Sequence, residues 1–373
     1  MRDIVVLAGS SPWSVLSLCK CAYKYKVKTF VVCINNGWGR KYAKSRYVNR
    51  AYDTNEGDID AFWQFFFDEN IFIETPILYV TNDHVCQIVE RNRKFFETRF
   101  VLCMASSYII TSFIDKNLAS MEAQKHGLVV PKTQEIRDNN DIEKVCKTFK
   151  FPVIVKPVTF RDHCLAGFKT QICDTEEQLC AFIPPHLKNG INLQCQEYII
   201  GNDKDCSFYQ FYRDKLGNIV ECMGEKTLQT NGIMTIGTTK YDAQMALICR
   251  SFLQSINYIG IGGIEFKLHN GIYYFIEMST RTEGFLPISD MSHVSLSGAS
   301  FCSLNGLPVK QSQQHDGVQY VVFMAMIKNM LRKDGIVPLC RKILNVILKR
   351  DHFFVGAFVE LMFALRLDLR ILK

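Results

Sequence analysis

The amino-acid sequence predicts a mixed α/β and α+β protein: an open α/β domain, two facing α+β lobes behind it, and a helical extension at the C-terminus. Three observations carry this. The apolar run Ile4-Val-Val-Leu-Ala leads into a helical pattern to about Lys24 and a second strand from Val27 to Ile34, which is a βαβ opening. Beyond Leu193 the chain is rich in strands, with hairpin signals at Asp214 to Asn218 and at His269-Asn-Gly271. And 373 residues exceed one ordinary core, which points to two or three lobes.

Taken in order, a helix from Ile59 to about Glu69, the strand Ile77-Leu-Tyr-Val, a helix from Asp83 and the run Val101-Leu-Cys-Met continue the alternation. They complete a first domain over 1–112. The turn Gly9-Ser-Ser-Pro lacks the GxGxxG a dinucleotide pyrophosphate needs, leaving a plain connection or an anion site at the next helix. From Phe113 the texture changes. Asp115-Lys116 opens a helix ending at Gly127, Val130-Pro-Lys-Thr starts an extended stretch, and the strand Val153-Ile-Val-Lys156 is stopped by Pro157. Thr170-Gln-Ile-Cys follows, then a helix with Asp174 as cap and Glu177 three residues on, completing a lobe over 113–192. A third lobe over 193–310 holds strands Gln194 to Ile200, Cys206 to Tyr212, Ile219 to Glu225, Ile264 to Leu268 and Ile272 to Met278. It has one helix, Asp242 to Ser255. Residues 311–373 read as one strand followed by a helical, basic tail.

The 44 Lys and Arg against 37 Asp and Glu give a net charge of +7, scattered along the chain. That suits a phosphate-bearing small molecule, and no aromatic-plus-basic signature of a nucleic-acid reader is present. The fifteen cysteines sit largely in apolar runs with no CxxC pair, which fits a reduced, cytoplasmic protein without a zinc signature. No secretion signal opens the chain. The segment Phe353 to Leu365, about 13 residues with Glu360 inside it, is short of the roughly 20 needed to span a bilayer.

The stretch Gly263-Ile-Glu265 through Glu277-Met-Ser279-Thr-Arg281 carries the most chemistry: a hairpin with a carboxylate inside each apolar strand. Strand alternation puts Glu277, Ser279 and Arg281 on one face. A strict two-residue turn would send Glu265 to the opposite face, whereas a longer loop or a bulge pairs it with Glu277. Two facing carboxylates require a cation between them, and oxygen ligation suits Mg²⁺, so the longer loop or bulge is expected. Lys156, closing a buried β-branched strand, is placed to hold an anion.

The ordered set Lys116, Phe151-Pro-Val-Ile-Val-Lys156-Pro, Gln196-Glu-Tyr-Ile199, Glu265 and Glu277-Met-Ser279-Thr-Arg281 resembles the ATP-grasp superfamily over roughly residues 1 to 305. Within it the chain looks most like carboxylate–amine ligases similar to D-aspartate ligase and to those found with polysaccharide biosynthesis genes. The resemblance implies a Rossmann-like pre-ATP-grasp domain and two grasping lobes. It implies ATP held by Lys116 and Lys156, an adenine hinge at Gln196, Glu197, Tyr198 and Ile199, and ribose contact through Asp203 or Asp205. Mg²⁺, with Mn²⁺ as the alternative ion, falls to Glu265, Glu277 and Ser279. Arg281 and Lys226 take catalytic roles. The chain departs from the family at two places. Ser279 replaces the usual asparagine. The phosphate-covering loop Val158 to Gly167 has one glycine, so Arg161, His163 or Lys169 would supply by side chain what backbone N–H groups supply elsewhere.

The implied reaction joins a carboxylate to an amine through an acyl phosphate, releasing ADP and phosphate; amino acids, amino sugars and uronic acids are candidate substrates. One rival is a non-catalytic ATP-binding protein of the same fold. The other is a membrane-surface or partner-binding module, prompted by the tail residues Arg341, Lys342, Lys349, Arg350, Arg366, Arg370 and Lys373, which would place the protein at the inner face of a membrane.

Overall fold

Apolar β-branched runs too short for helices become strands with both faces covered. The computed structural model describes residues 1–8, 12–68, 72–230 and 233–322. The expectations for Gly9, Ser10 and Ser11 of the first turn and for the tail beyond Val322 lie outside them.

The N-terminal domain runs β1 (Ile4–Ala8), α1 (Pro12–Lys24), β2 (Thr29–Ile34), α2 (Gly39–Tyr42), β3 (Arg50–Thr54) and α3 (Ile59–Asp68). It continues through β4 (Ile77–Val80), α4 (Asp83–Arg91), α5 (Arg93–Glu97), β5 (Val101–Leu102) and α6 (Ser107–Ile114). Its five strands form a parallel sheet in the order β3-β2-β1-β4-β5. Every residue of β1, β2 and β4 is buried, as a sheet covered on both faces requires. Trp63, Phe66, Phe96 and Phe100 pack edge to face beneath it.

The second unit holds α7 (Lys116–Lys125), β6 (Thr133–Ile136), α8 (Asn139–Thr148), β7 (Val153–Pro157), α9 (Phe160–Ala166), β8 (Gln171–Cys173), α10 (Glu176–Lys188) and β9 (Leu193–Glu197). Its sheet is antiparallel, β6-β9-β7-β8. The strand at 193–197 therefore belongs here and not to the third stretch where the sequence reading put it. Leu193 and Cys195 join the core made by Val153, Val155 and the helices behind them, and that burial decides the partner. A second correction concerns the expected loop from Val158 to Gly167, most of which is α9. Thr159 and Asp162 form a capping box, Gly167 closes the helix at φ 71°, and Asp162 also accepts from the Asn192 backbone N–H at 3.1 Å.

The third unit contains β10 (Cys206–Arg213), β11 (Ile219–Thr230), β12 (Ile233–Thr239), α11 (Ala243–Ser255), β13 (Gly260–His269), β14 (Ile272–Ser279), α12 (Pro287–Met291), α13 (Leu296–Leu304) and β15 (Gln319–Val321). Its antiparallel sheet runs β14-β13-β10-β11-β12-β15. Strand β12 was not expected; its threonines and glycine give little hydrophobic signal. One face of this sheet packs α11 through Tyr209, Phe211, Met245, Phe252 and Phe266. The other face carries Lys226, Glu265 and Glu277.

Candidate active site

The hairpin β13–β14 turns through Asn270 (φ 49°) and Gly271 (φ 76°), a two-residue turn that by itself would separate the two glutamates. Phe266 pairs with Phe275 but Glu265 pairs with Glu277, so Ile276 is an extra residue in β14. That bulge restores the expected register: Glu265 and Glu277 sit opposite each other, and Ser279 stands opposite Gly263 on the same face. Gly263 is needed there, because a Cβ would lie 2.8 Å from the Glu283 side chain passing over it.

Four lysines converge on this pair. Lys226, buried on β11, makes an ion pair with Glu265. Lys156, at the end of β7, donates to Gln196 Oε1 at 2.6 Å; Gln196 in turn donates to Thr133 Oγ1 at 3.0 Å. Lys116, in the first turn of α7, reaches the Pro157 carbonyl at 3.0 Å and so lies beside Lys156. Lys169, just beyond α9, acts most strongly on Glu277. Together with Lys226, Lys116 and Lys156 it holds the Glu277 carboxyl down at about 2 against the opposing effect of burial. Glu265 is pushed up by burial, with Lys226 opposing and Glu277 adding to the rise. Burial and then the neighbouring Lys116 pull Lys156 down to about 8. Burial also lowers Lys116, and it lowers His163 on α9, which feels Lys116 and Lys169.

Two carboxylates among four buried or half-buried ammonium groups leave an excess of positive charge in a low-dielectric site. Such an arrangement is costly without an anion and is suited to polyphosphate. The oxygen donors of Glu265, Glu277 and Ser279 suit a hard cation such as Mg²⁺.

A family model described as ATP-grasp domain matches residues 121–300, from the middle of α7 into α13. The chain carries an ATP-grasp domain. Solved structures share the fold. An N5-carboxyaminoimidazole ribonucleotide synthetase in complex with ADP superposes with TM-score 0.69 at 14% identity, over 89% of this chain and 84% of that one. The synthetase of the same name from Thermus thermophilus gives 0.68 at 12%, over 85% and 82%. The biotin carboxylase domain of 2-oxoglutarate carboxylase from Hydrogenobacter thermophilus, with MgADP, ADP and bicarbonate, gives 0.66 at 15%, over 86% and 73%. Among curated proteins, no relative matches this sequence.

In the ATP-grasp domain, Glu197, Tyr198 and Ile199 lead from β9 toward β10, with Glu197 exposed, Tyr198 half-buried and Ile199 buried. The Glu197 N–H donates to the Lys132 carbonyl at 2.8 Å, which ties this segment to the chain entering β6. Asp203 and Asp205 share one 3₁₀ turn between β9 and β10. Asp203 accepts from the Gln229 N–H at 2.9 Å and Asp205 from the Asn202 N–H at 2.7 Å, so each spends a carboxylate oxygen on local structure.

Arg281, which also feels the charge of Glu277, is gripped by two further carboxylates. Its Nε and Nη2 donate to the two oxygens of Asp83 at 2.9 and 3.2 Å, and its Nη1 to Thr282 O and Glu283, both at 3.1 Å. Burial opposes its charge, but Asp83 and Glu283 outweigh burial and keep it above the ordinary arginine range. The guanidinium thus ties the first turn of α4 to the end of β14. The sequence reading missed both carboxylate partners, although Asn82-Asp83 is a legible helix start and Asn82 does cap α4.

Beside this tie, α4 and α6 face the outer side of α9 across an open cleft of ≈ 710 Å³ lined by His84, Arg91, Ile110, Arg161 and Leu165, among others. Glu56 bridges Arg91 at 2.6 Å and His84 at 3.2 Å along its wall. Among the described residues, no helix is long and apolar enough to cross a membrane.

Proposed function

We propose that the protein is an ATP-dependent carboxylate–amine ligase. The observation that carries this reading is the convergence of Lys116, Lys156, Lys169 and Lys226 on the facing pair Glu265 and Glu277 within an ATP-grasp domain. ATP is the phosphoryl donor. Lys116, Lys156 and Lys169 neutralise its phosphates, Gln196 holds Lys156 in place, and the segment Glu197 to Ile199 receives the adenine. Glu265, Glu277 and Ser279 hold Mg²⁺, which supplies further neutralisation of phosphate charge. A substrate carboxylate oxygen attacks the γ-phosphorus and ADP leaves, giving an acyl phosphate. An amine then attacks the acyl carbon and orthophosphate leaves. Arg281 acts as a positioning residue, holding α4 to the end of β14 through Asp83.

The acid and the amine enter through the cleft between α4, α6 and α9, whose Arg161, Arg91, His84 and Glu56 supply both charge signs. That mixture favours zwitterionic or anionic substrates: amino acids, amino sugars or uronic acids. The finer reading, a ligase resembling D-aspartate ligase that adds an amino acid to a cell-surface polysaccharide or its precursor from the cytoplasmic side, rests on the sequence resemblance. So does peripheral membrane contact through the basic tail.

Purified protein with Mg-ATP, pooled carboxylates and hydroxylamine tests the proposal. ADP together with a hydroxamate, both lost in Glu277→Gln, supports it. AMP with pyrophosphate would overturn the acyl phosphate route. Tight ATP binding without turnover on any pool would favour the non-catalytic reading, for which the ion pair between Lys226 and Glu265 and the serine at 279 are the motivating features.

A further inference from the structure

The face of the second sheet away from the lysines carries a group of side chains that the proposed reaction does not use. Val153 and Val155 of β7 point there, against Ile142 and Val145 of α8 and Leu179 and Ile183 of α10. Alternation along β7 places Lys156 on the opposite face. Cys146 follows Val145 on α8. Glu176 and Cys180 are four apart on α10 and therefore neighbours on one face of that helix. The sulfurs of Cys146 and Cys180 and a carboxylate oxygen of Glu176 all lie within 4.8 Å of one another. Cys146 is half-buried, the other two are exposed, and Cys146 hydrogen-bonds to both.

From this geometry we infer that Cys146, Glu176 and Cys180 form a Zn²⁺-binding site clamping α8 to α10. Two thiolates select a soft or borderline divalent ion over Mg²⁺ or Ca²⁺, and a carboxylate oxygen is a further ligand that zinc accepts. Three protein ligands leave the fourth tetrahedral position to water. Each thiol gives up its proton to the buffer as the ion binds. Because the site spans two helices and not one loop, the ion stabilises the folded lobe by mass action. The sequence hides it: Cys146 lies 30 residues before Glu176, and no CxxC spacing announces the two thiols.

Cobalt substitution tests this on the full-length, reduced, metal-stripped protein, with Cys146→Ser, Cys180→Ser and Glu176→Gln beside the wild type. The expected result is one equivalent of Co²⁺ giving strong near-ultraviolet thiolate-to-cobalt absorption, displaced by Zn²⁺ and absent from either serine variant. Glu176→Gln should weaken binding at least as much as the roughly 10- to 100-fold loss typical of an outer-shell partner. Zn²⁺ should raise the melting temperature of the wild type and leave the serine variants unmoved. Circular dichroism of the variants matching the wild type shows that loss of metal is not loss of fold. Absent thiolate absorption in the wild type, or equal absorption in a serine variant, would overturn the inference. So would a Cys146–Cys180 disulfide forming under mild oxidation in protein that takes up no metal when reduced. These readouts use no nucleotide, so they stand or fall separately from the ligase reading.

Discussion

Glu265 stands opposite Glu277 because Ile276 is inserted between Phe275 and Glu277 without a partner on β13. Shifting a strand by one residue reverses which face each side chain takes, so this one unpaired residue brings the second carboxylate to the charged face. Phe275 and Met278, on either side, both remain in the apolar core.

Glu277→Gln should therefore abolish turnover while leaving the hairpin register intact. With electrostatic groups at a phosphoryl-transfer centre worth about 10² to 10³ in rate, a loss of at least that size is expected in ADP release. The variant should also be less stable at neutral pH. Lys169 above all, then Lys226, Lys116 and Lys156, hold Glu277 at about 2, so its stabilisation is present above the ordinary carboxylate range and fades only as pH falls toward 2. Urea denaturation at pH 7 and pH 3 should show the difference between wild type and variant shrinking at the lower pH.

Removing Asp83 strips Arg281 of a bidentate partner but leaves Glu283 at 3.1 Å. Breaking a fully buried pair costs about 3 to 5 kcal/mol, and Asp83 is 43% exposed, so solvent screening discounts Asp83→Ala to about 1 to 2 kcal/mol. Arg281→Ala leaves Glu283 buried without its cation and should cost more. Chemical denaturation of both single variants and the double variant gives the coupling; additive effects would show that the two residues do not act as a pair.

Arg161 is exposed and lines the cleft between α4, α6 and α9. Arg161→Ala should raise KM for the acid or the amine with little change in ATP affinity. Initial rates with each substrate varied in turn would measure this. An equal rise in KM for ATP would instead place Arg161 on the phosphates, as the sequence reading allowed.

What was legible in the sequence depended on whether the signal was local. The apolar strands β1, β2 and β4 and the turn at Asn270-Gly271 were readable because periodicity and turn chemistry act over a few residues. The lysine–carboxylate constellation was readable through resemblance and strand alternation. The facing of Glu265 and Glu277 was argued from charge, which demands a cation between them, and the bulge supplied the means. What was not legible depended on distant partners. Nothing near Arg281 announces Asp83, 198 residues away, and β9 is assigned to its sheet only by the burial of Leu193 and Cys195 against β7. Helix α9 was hidden because Val158 to Gly167 was read as the phosphate loop of relatives, although Thr159 and Asp162 form a local cap.

Lys156 makes the last prediction, and its sign follows from its surroundings. Burial, then Lys116, brings it down to about 8 from an ordinary 10.5, so above about pH 8 the empty site loses the charge that a phosphate needs. Nucleotide affinity should be level below that pH and fall above it by up to about tenfold per pH unit, since each unit is 1.36 kcal/mol. Binding near pH 8 should take up a proton, visible as a calorimetric heat that changes with the ionisation enthalpy of the buffer. Without nucleotide the sign reverses. The unfolded chain keeps this proton to higher pH than the folded one, so the lysine's cost to the empty protein is full below pH 8 and relaxes between about 8 and 10.5. Lys156→Met should then bind ATP more weakly, with no pH step, and melt at a higher temperature than the wild type at pH 7 when empty. A melting temperature that falls instead would mean that the bond from Lys156 to Gln196 outweighs the burial of its charge.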